Sequence, residues 1–423
     1  MPLTAAVWRT AACLAEPGLR VALRRRAGRG KEVAARLPER RGKADVARPP
    51  GRLLWLHAAS VGEAESILAV LAALAREAPE VHVLLTTGTV TSAAMLDRRL
   101  PQLGLDRVLH RFAPLDVPRW AARFLDHWRP NAAAFVESEL WPNLVAACRA
   151  RGIPLMLMNG RMSARSARAW RGVPGLAREV LESFALVQAG SERDAERLRA
   201  LGARRVEVPG NLKLSAAPLA VDESELARLG AVLGDRPRWL AASTHPGEEA
   251  LVAEVHGQLA ARVPGLLTVI VPRHPGRGGA ISDALGGIPR RAEGRGPPPG
   301  GVWIADTLGE LGLFYRLCPV SFVGRSLVVP GGGQNPLEPA RLGCAVAVGP
   351  HTANFTGAVA DLAAAGALTV VDGVGALAAW AERMLLDHAA RDAAGEAARR
   401  AATGDPDLPL RVARAVLGLG EPR

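Results

Sequence analysis

The residues best suited to chemistry stand where apolar runs end. In Leu54-Trp55-Leu56-His57-Ala58-Ala59-Ser60-Val61-Gly62-Glu63 a strand passes through a tight turn into a helix, with Glu63 in its first turn. A carboxylate there is a general base within reach of an acceptor hydroxyl, kept ionised by the helix N-terminus. Acidic residues also favour a first helical turn for capping alone, so both readings stand. In Phe135-Val136-Glu137-Ser138-Glu139-Leu140-Trp141-Pro142-Asn143, Glu137 falls at a strand end, Ser138 and Pro142 mark the next helix, and Glu139 reads as an ordinary capping residue. Gly210-Asn211-Leu212-Lys213 carries one of only three lysines (Lys31, Lys43, Lys213) among 53 cations. A lone lysine at a strand end suggests a compact charge aimed at phosphate or carboxylate, against the plainer reading of a surface lysine.

The second half repeats the design. Ser243-Thr244-His245-Pro246-Gly247-Glu248-Glu249 is a strand-to-helix turn whose N–H groups suit a phosphate. Pro272-Arg273-His274-Pro275 offers a guanidinium, and Asp306-Thr307-Leu308-Gly309-Glu310-Leu311 opens a helix. Gly331-Gly332-Gly333-Gln334-Asn335-Pro336-Leu337-Glu338-Pro339 combines close backbone approach, a helix N-terminus for an anion, and Glu338 for vicinal hydroxyls. His57, His245, His274 and His351 lack metal-ligand spacing and read as hydrogen-bonding or core histidines. Arg161, Arg165, Arg168 and Arg171 recur at helical spacing, as a solvated stripe or an acceptor-phosphate face.

The elements that must position these residues form two α/β series. Apolar runs alternate with amphipathic helical segments, the pattern of βαβ units on parallel sheets. The first series has strands at Leu53–Ala58, Val81–Thr86, Val108–Phe112, Ala132–Glu137, Ile153–Met158, Ala185–Ala189 and Val206–Val208. The second has Trp239–Ser243, Leu267–Pro272, Val302–Ala305, Val320–Val323, Ala345–Val348 and Leu368–Val371. A less regular stretch, Ser215–Pro237, separates them, Gly276–Gly301 reads as a loop around one short helical piece, and the last fifty residues as Ala-rich helix. Two doubly wound halves predict a cleft, with ligands beyond the carboxyl ends of the strands. There is no Walker P-loop, no GxGxxG after the first strand and no HExxH, which removes the main support for ATPase, dehydrogenase and zinc-hydrolase readings.

With 423 residues, 49% hydrophobic and 22% charged, the chain suits two globular domains and is not disordered. A net charge of +12 favours anionic partners, yet aromatics are only 4%, with the single tyrosine Tyr315, so a nucleic-acid stacking platform is missing. Cys13, Cys148, Cys318 and Cys344 are dispersed, which argues against a disulfide framework or structural zinc site and fits a reducing compartment. Arg9 and Glu16 interrupt any secretory signal, and no stretch reads as a transmembrane helix. Leu3, Val7, Ala11 and Leu14 share one helical face with Trp8 beside it, and Arg20, Arg24, Arg25, Arg26, Arg29 and Lys31 follow. Such a segment suits an anionic leaflet, the alternative being a frayed helix with solvated charges.

The strings ASVGEAES, VESELWPN, NGRMSARS, GNLK, ASTHPGEE, VPRHP, DTLGELG and GGGQNPLEPA, in this order, resemble the Kdo transferase family, the 3-deoxy-D-manno-octulosonic acid transferases of lipopolysaccharide biosynthesis. The resemblance runs from about Ala59 to Asn354. It implies a GT-B glycosyltransferase, two Rossmann-like α/β domains facing a cleft, that moves Kdo from CMP-Kdo to a hydroxyl of the lipid A precursor (lipid IVA) with inversion and without metal or other cofactor. The implied division is a membrane-associating segment 1–31, an acceptor-binding domain 32–213, a linker 214–236 and a CMP-sugar-binding domain 237–423 with closing helices. By motif, Glu63 matches the proton acceptor, and Glu137 and Lys213 match transition-state stabilisers. CMP contacts fall on Pro272, Arg273, Leu308, Gly309, Glu310, Asn335, Pro336, Leu337 and Glu338. The implied partners are CMP-Kdo, the lipid A precursor and the anionic cytoplasmic face of the cell inner membrane, with no nucleic acid. Two positions depart from the family pattern: Gly324-Arg325 replaces a glycine pair, and Gln334 replaces a histidine. Another GT-B nucleotide-sugar transferase or epimerase would share the second-half loops without needing SVGE or ESELWP.

Overall fold

The computed structural model describes residues 3–215 and 218–419. Its thirteen strands follow the apolar runs: β1 Leu53–His57, β2 His82–Thr87, β3 Val108–Phe112, β4 Ala132–Val136, β5 Leu155–Gly160, β6 Phe184–Ala189 and β7 Val206–Glu207, then β8 Arg238–Thr244, β9 Leu267–Pro272, β10 Gly301–Ile304, β11 Val320–Val323, β12 Ala345–Val348 and β13 Leu368–Val370. The first seven form one parallel sheet in the order β3-β2-β1-β4-β5-β6-β7, and the other six form a second in the order β10-β9-β8-β11-β12-β13. The chain divides into two compact units, Met1–Ala216 with Gly404–Arg423, and Ala217–Thr403.

In the first unit, alternate residues of β1 enter two cores. Leu53 and Trp55 face the helices Pro118–Trp128 and Pro142–Ala150, whereas Leu54 and Leu56 face the helix Leu68–Glu77. Burial on both faces is why these strands read as continuous apolar runs rather than as alternation. Each unit anchors its central strand pair with a tryptophan. Trp55 Nε1 donates to Thr86 Oγ1 at 2.8 Å, and Trp239 Nε1 donates to Thr268 Oγ1 at 2.6 Å. Each indole thereby hides its area without stranding its N–H.

The expected domain division changes at two places. The stretch 214–236 contains the helix Glu223–Leu233, capped by Asp222 through the N–H groups of Ser224 and Glu225. The Asp222-x-x-Glu225 spacing is the sequence signal for this helix start. Ala216 and Ala217, within that expected linker, lie outside the described residues. The last helix, Leu408–Leu419, does not close the second domain. It packs on Leu68–Glu77, β4 and β5 of the first unit, burying Leu408, Val412, Ala413 and Val416. Gly404 makes the return, its N–H donating to Leu214 O at 3.1 Å, where a Cβ would lie 2.8 Å from the Leu214 backbone.

The N-terminal segment is one helix, Leu3–Gly28, with Pro17 inside it. The predicted face is turned outward: Val7, Ala11 and Leu14 are exposed, while Leu23 is buried against Val117 and Trp120 (Leu3's side chain lies outside the described set). Among the described residues no helix is long and apolar enough to cross a membrane. Cys13 is exposed, and the buried thiols of Cys148, Cys318 and Cys344 are pushed up to about 12 by burial.

The C-terminal helix is expected to matter for the first unit's stability. Leu408→Ala should cost about 2–5 kcal/mol, as for other buried leucines. Loss of the exposed Arg414–Glu77 pair through Arg414→Ala should leave the unfolding midpoint nearly unchanged. Urea unfolding of both variants checks the contrast.

Candidate active site

β1 and β4 are neighbours in register, with His57 opposite Phe135, so the turns that follow them open side by side. Ser60 caps the helix Val61–Ser66 and its hydroxyl donates to Glu63 Oε1 at 2.8 Å. Glu63 Oε2 accepts from Ala59 N at 2.7 Å. The capping and base readings therefore coexist. Burial raises the Glu63 pKa, and the carboxylates of Glu137 and Glu139 raise it further, against the lowering pull of the Ser60 and Ala59 donors. Burial and the neighbouring carboxylates thus act against the pull of the helix start and raise the proton affinity of this carboxylate.

Glu137 occupies the left-handed region at φ 59°. Its carboxylate lies 2.5 Å from Lys213 Nζ and 4.0 Å from Arg161 Nη1. Glu63, Glu137 and Lys213, widely separated in sequence, are brought together here. Lys213 does not stand alone as a charge: it is tethered by Glu137. Asn159, also left-handed at φ 51°, sets the lysine turn by accepting from Leu212 N at 3.1 Å. Its Asn-Gly sequence was the available signal.

Glu139 caps no helix. It accepts from Trp141 Nε1 at 2.5 Å and lies 3.2 Å from His57 Nε2, while His57 Nδ1 lies 3.0 Å from Thr86 Oγ1. Hydrogen bonds and charge from His57 lower its pKa despite burial. The helix Pro142–Ala150 is capped instead by Asp116, whose carboxylate accepts from Asn143 N at 3.2 Å and Leu144 N at 2.8 Å. The basic stripe also splits: Arg165, Arg168 and Arg171 are exposed on the helix Ala164–Arg171, whereas Arg161 precedes it and turns to Glu137.

In the second unit the equivalent neighbours are β8 and β11. The turn after β8 does not leave all its N–H groups open. Glu248, fully buried, accepts from His245 N (3.0 Å), Arg325 N (2.7 Å), Ser326 N (2.9 Å) and Leu327 N (3.0 Å), tying the two turns together. Pro272 ends β9, and Arg273 beyond it is exposed, its N–H donating to Thr244 O at 3.0 Å. The His274 ring lies 6.1 Å from that of His245. Leu308 is exposed and Gly309 is left-handed at φ 86°. Glu310 is clamped by Arg291 (Nε 2.7 Å, Nη2 2.5 Å) and Thr307, and the Arg291 bonds hold its carboxyl low. Arg291, which the sequence did not single out, also lies over the rings of Trp303 and Phe314.

Asn335 Oδ1 accepts from Leu337 N at 3.1 Å and Asn335 Nδ2 donates to Glu338 Oε1 at 3.2 Å, with Pro336 and Leu337 buried beside them. The helix they start, Leu337–Arg341, has only five residues, so its dipole offers less to an anion than expected. The glycines before it serve packing within the protein: a Cβ on Gly331 would lie 2.3 Å from the His351 Cβ, and one on Gly332 would lie 2.7 Å from Asn354 Nδ2.

Residues 35–216 match the family described as 3-Deoxy-D-manno-octulosonic-acid transferase (kdotransferase). A 3-deoxy-D-manno-octulosonic acid transferase of Bordetella pertussis is 37% identical over 391 residues, covering 89% of each chain. The chain belongs to the Kdo transferase family. Among solved structures, a putative UDP-N-acetylglucosamine 2-epimerase from Listeria monocytogenes (16% identity, TM-score 0.56) is matched over 87% of this chain and 95% of its own. MurG of Acinetobacter baumannii (14% identity, TM-score 0.53) is matched over 87% and 100%. These likenesses are ones of fold, and the fold is GT-B.

The geometry shows what one departure from the family pattern costs. Arg325 sits at φ 57°, where glycine carries no steric cost. Its N–H to Glu248 survives any substitution except proline, and its side chain is exposed. Arg325→Gly should therefore stabilise the second unit by about 1 kcal/mol, a rise of roughly 2–4 °C in Tm for a unit of this size. An unchanged or lower Tm in calorimetry would contradict this account.

Proposed function

We propose that this Kdo transferase moves Kdo from CMP-Kdo to a hydroxyl of the lipid A precursor (lipid IVA), with inversion and without a metal. The observation that carries the reading is Glu63 beside the Glu137–Lys213 pair at the β1/β4 strand ends. Glu63 takes the proton of the acceptor hydroxyl as its oxygen bonds to the anomeric carbon of Kdo. The bond from that carbon to phosphate oxygen breaks on the opposite face, and CMP departs with the electron pair. One displacement from the opposite face inverts the anomeric centre. Lys213, held by Glu137, offsets the negative charge of the donor. In the second unit Pro272, Arg273, Leu308, Gly309, Glu310, Asn335, Pro336, Leu337 and Glu338 hold CMP. Glu310 and Glu338 enter that role already fixed by Arg291 and Asn335.

The test is transfer from freshly generated CMP-Kdo to a tetra-acylated lipid A precursor, in detergent with a chelator, with products read by mass. Wild-type protein should add one or more Kdo masses. Glu63→Ala should fold, bind CMP and lose about 10²–10⁴-fold in kcat, the usual contribution of a general base. Retained turnover would remove Glu63 from that role. Because the Glu63 pKa is raised, wild-type activity should fall with acidification at a pH above the ordinary glutamate range.

The outward face of the helix Leu3–Gly28, with its basic end, would lie on the anionic cytoplasmic leaflet of the inner membrane. Trp8, whose Nε1 donates to Asp116 Oδ2 at 3.0 Å, ties that helix to the first unit. Leu14→Glu should leave transfer in detergent unchanged and weaken co-sedimentation with phosphatidylglycerol vesicles. Equal sedimentation of the two proteins would refute this placement.

A further inference from the structure

The turn that carries Glu63 is fastened from outside by a buried guanidinium. Glu63 Oε2 accepts from Ala59 N (2.7 Å), Ala59 O accepts from Gly88 N (3.0 Å), and Gly88 O accepts from Arg40 Nη2 (2.8 Å). The Ala59–Gly88 contact is close, since a Cβ on Gly88 would stand 2.9 Å from Ala59 O. Arg40 is only 6% exposed. Its Nη1 donates to Ala113 O (2.9 Å), in the turn after β3, and its Nε and Nη2 reach Glu32 at 3.2 and 3.3 Å. Glu32 is itself buried and also takes Arg26 Nε at 3.0 Å.

One side chain therefore spans the turns after β2 and β3 and the irregular segment after the first helix. A buried ion pair is weak support for stability, because apolar residues of equal volume often do as well. What apolar residues cannot do is hold two main-chain carbonyls from different turns at fixed separation. One of those carbonyls lies two hydrogen bonds from Glu63.

We propose that Arg40 is a positioning residue for transfer: by holding Gly88 it holds Ala59, and through Ala59 N–H it sets the place of the Glu63 carboxylate. Glu32 serves by orienting Arg40. This rests on the reading of Glu63 as the base. The charged groups facing Glu63 are Glu137, backed by Lys213 and Arg161, and Glu139, backed by His57, and none of these touches Arg40.

The experiment uses the full-length chain with Arg40→Lys and with the double variant Glu32→Leu/Arg40→Met. The first keeps the positive charge but cannot fork to both carbonyls, and the second leaves neither charge buried alone. Circular dichroism and CMP titration establish folding and an intact nucleotide site. Both variants should then lose roughly ten- to a hundredfold in kcat, the scale of a sub-ångström to 1 Å displacement of a reacting group. The acid limb of the kcat–pH profile should move to higher pH, because a weakened Ala59 N–H bond no longer favours the ionised carboxylate. Since Arg40→Lys keeps its charge, that movement cannot come from lost attraction alone.

Unchanged kcat and acid limb in either folded variant would overturn the inference. So would a fall in kcat with the limb unmoved, which is what a purely structural role produces. If neither variant folds, Arg40 is a stability residue and the positioning role is refuted. Glu63→Gln measured in parallel separates the two ideas. If it retains turnover, the base reading itself fails; if it is inactive while the Arg40 variants behave as wild type, only the positioning role fails.

Discussion

The site depends on one topological constraint, the reversal of strand order between β1 and β4. From β1 the chain winds outward through β2 to β3, then returns to lay β4 against the other side of β1. The helix following β1 and its successor pack in one core, and the helix following β4 packs in the opposite one. Adjacent turns thus diverge to opposite faces and leave a crevice that neither helix fills. Glu63 and Glu137 stand in the turns that follow the two strands. The second unit repeats the reversal at β8 and β11, where Ser243 takes left-handed backbone at a bulge inside β8 and Arg325 does so in the turn after β11.

Gathering three carboxylates in such a crevice is unfavourable unless their environments differ. They do: Glu137 lies against Lys213 and Arg161, and Glu139 is lowered by His57, while Glu63 receives only neutral donors and bears the burial and repulsion of the other two. The result is a division of labour. Charged partners offset two of the carboxylates, while burial and the repulsion of those two raise the proton affinity of the third, Glu63.

The central strands were legible because buried parallel strands leave unbroken apolar runs, and the less buried β3, β7 and β13 because they continue the same alternation with helical segments. The polar turns at their ends were legible because functional α/β loops interrupt such runs at predictable places. What was not legible depends on partners distant in sequence. Glu139 looks like a helix cap from its neighbours alone, and only the fold brings His57, 82 residues away, to it. Arg291 and Arg40 carry no motif, and Glu248 stands in the string ASTHPGEE with no mark of what it binds; their meaning lies in what they gather. The last helix has an amphipathic face but no local mark of which unit it covers, so its return to the first unit became visible only through Leu408 and Val412 in that core.

The two units solve the same mechanical problem with opposite charges. In the second, the buried carboxylate of Glu248 collects four N–H groups from the turns after β8 and β11. In the first, the buried guanidinium of Arg40 collects carbonyls from the turns after β2 and β3. Neutral hydrogen bonds could span each gap singly, but a charged group makes each bond about twice as strong and serves several at once. Turns outside the regular ladder have no hydrogen-bond lattice to hold them, and ligand-facing turns must also leave one side open. A charge buried on the closed side fixes them without occupying the open one. The desolvation cost is met by main-chain N–H dipoles at Glu248, and at Arg40 by main-chain carbonyls together with the buried counter-ion Glu32.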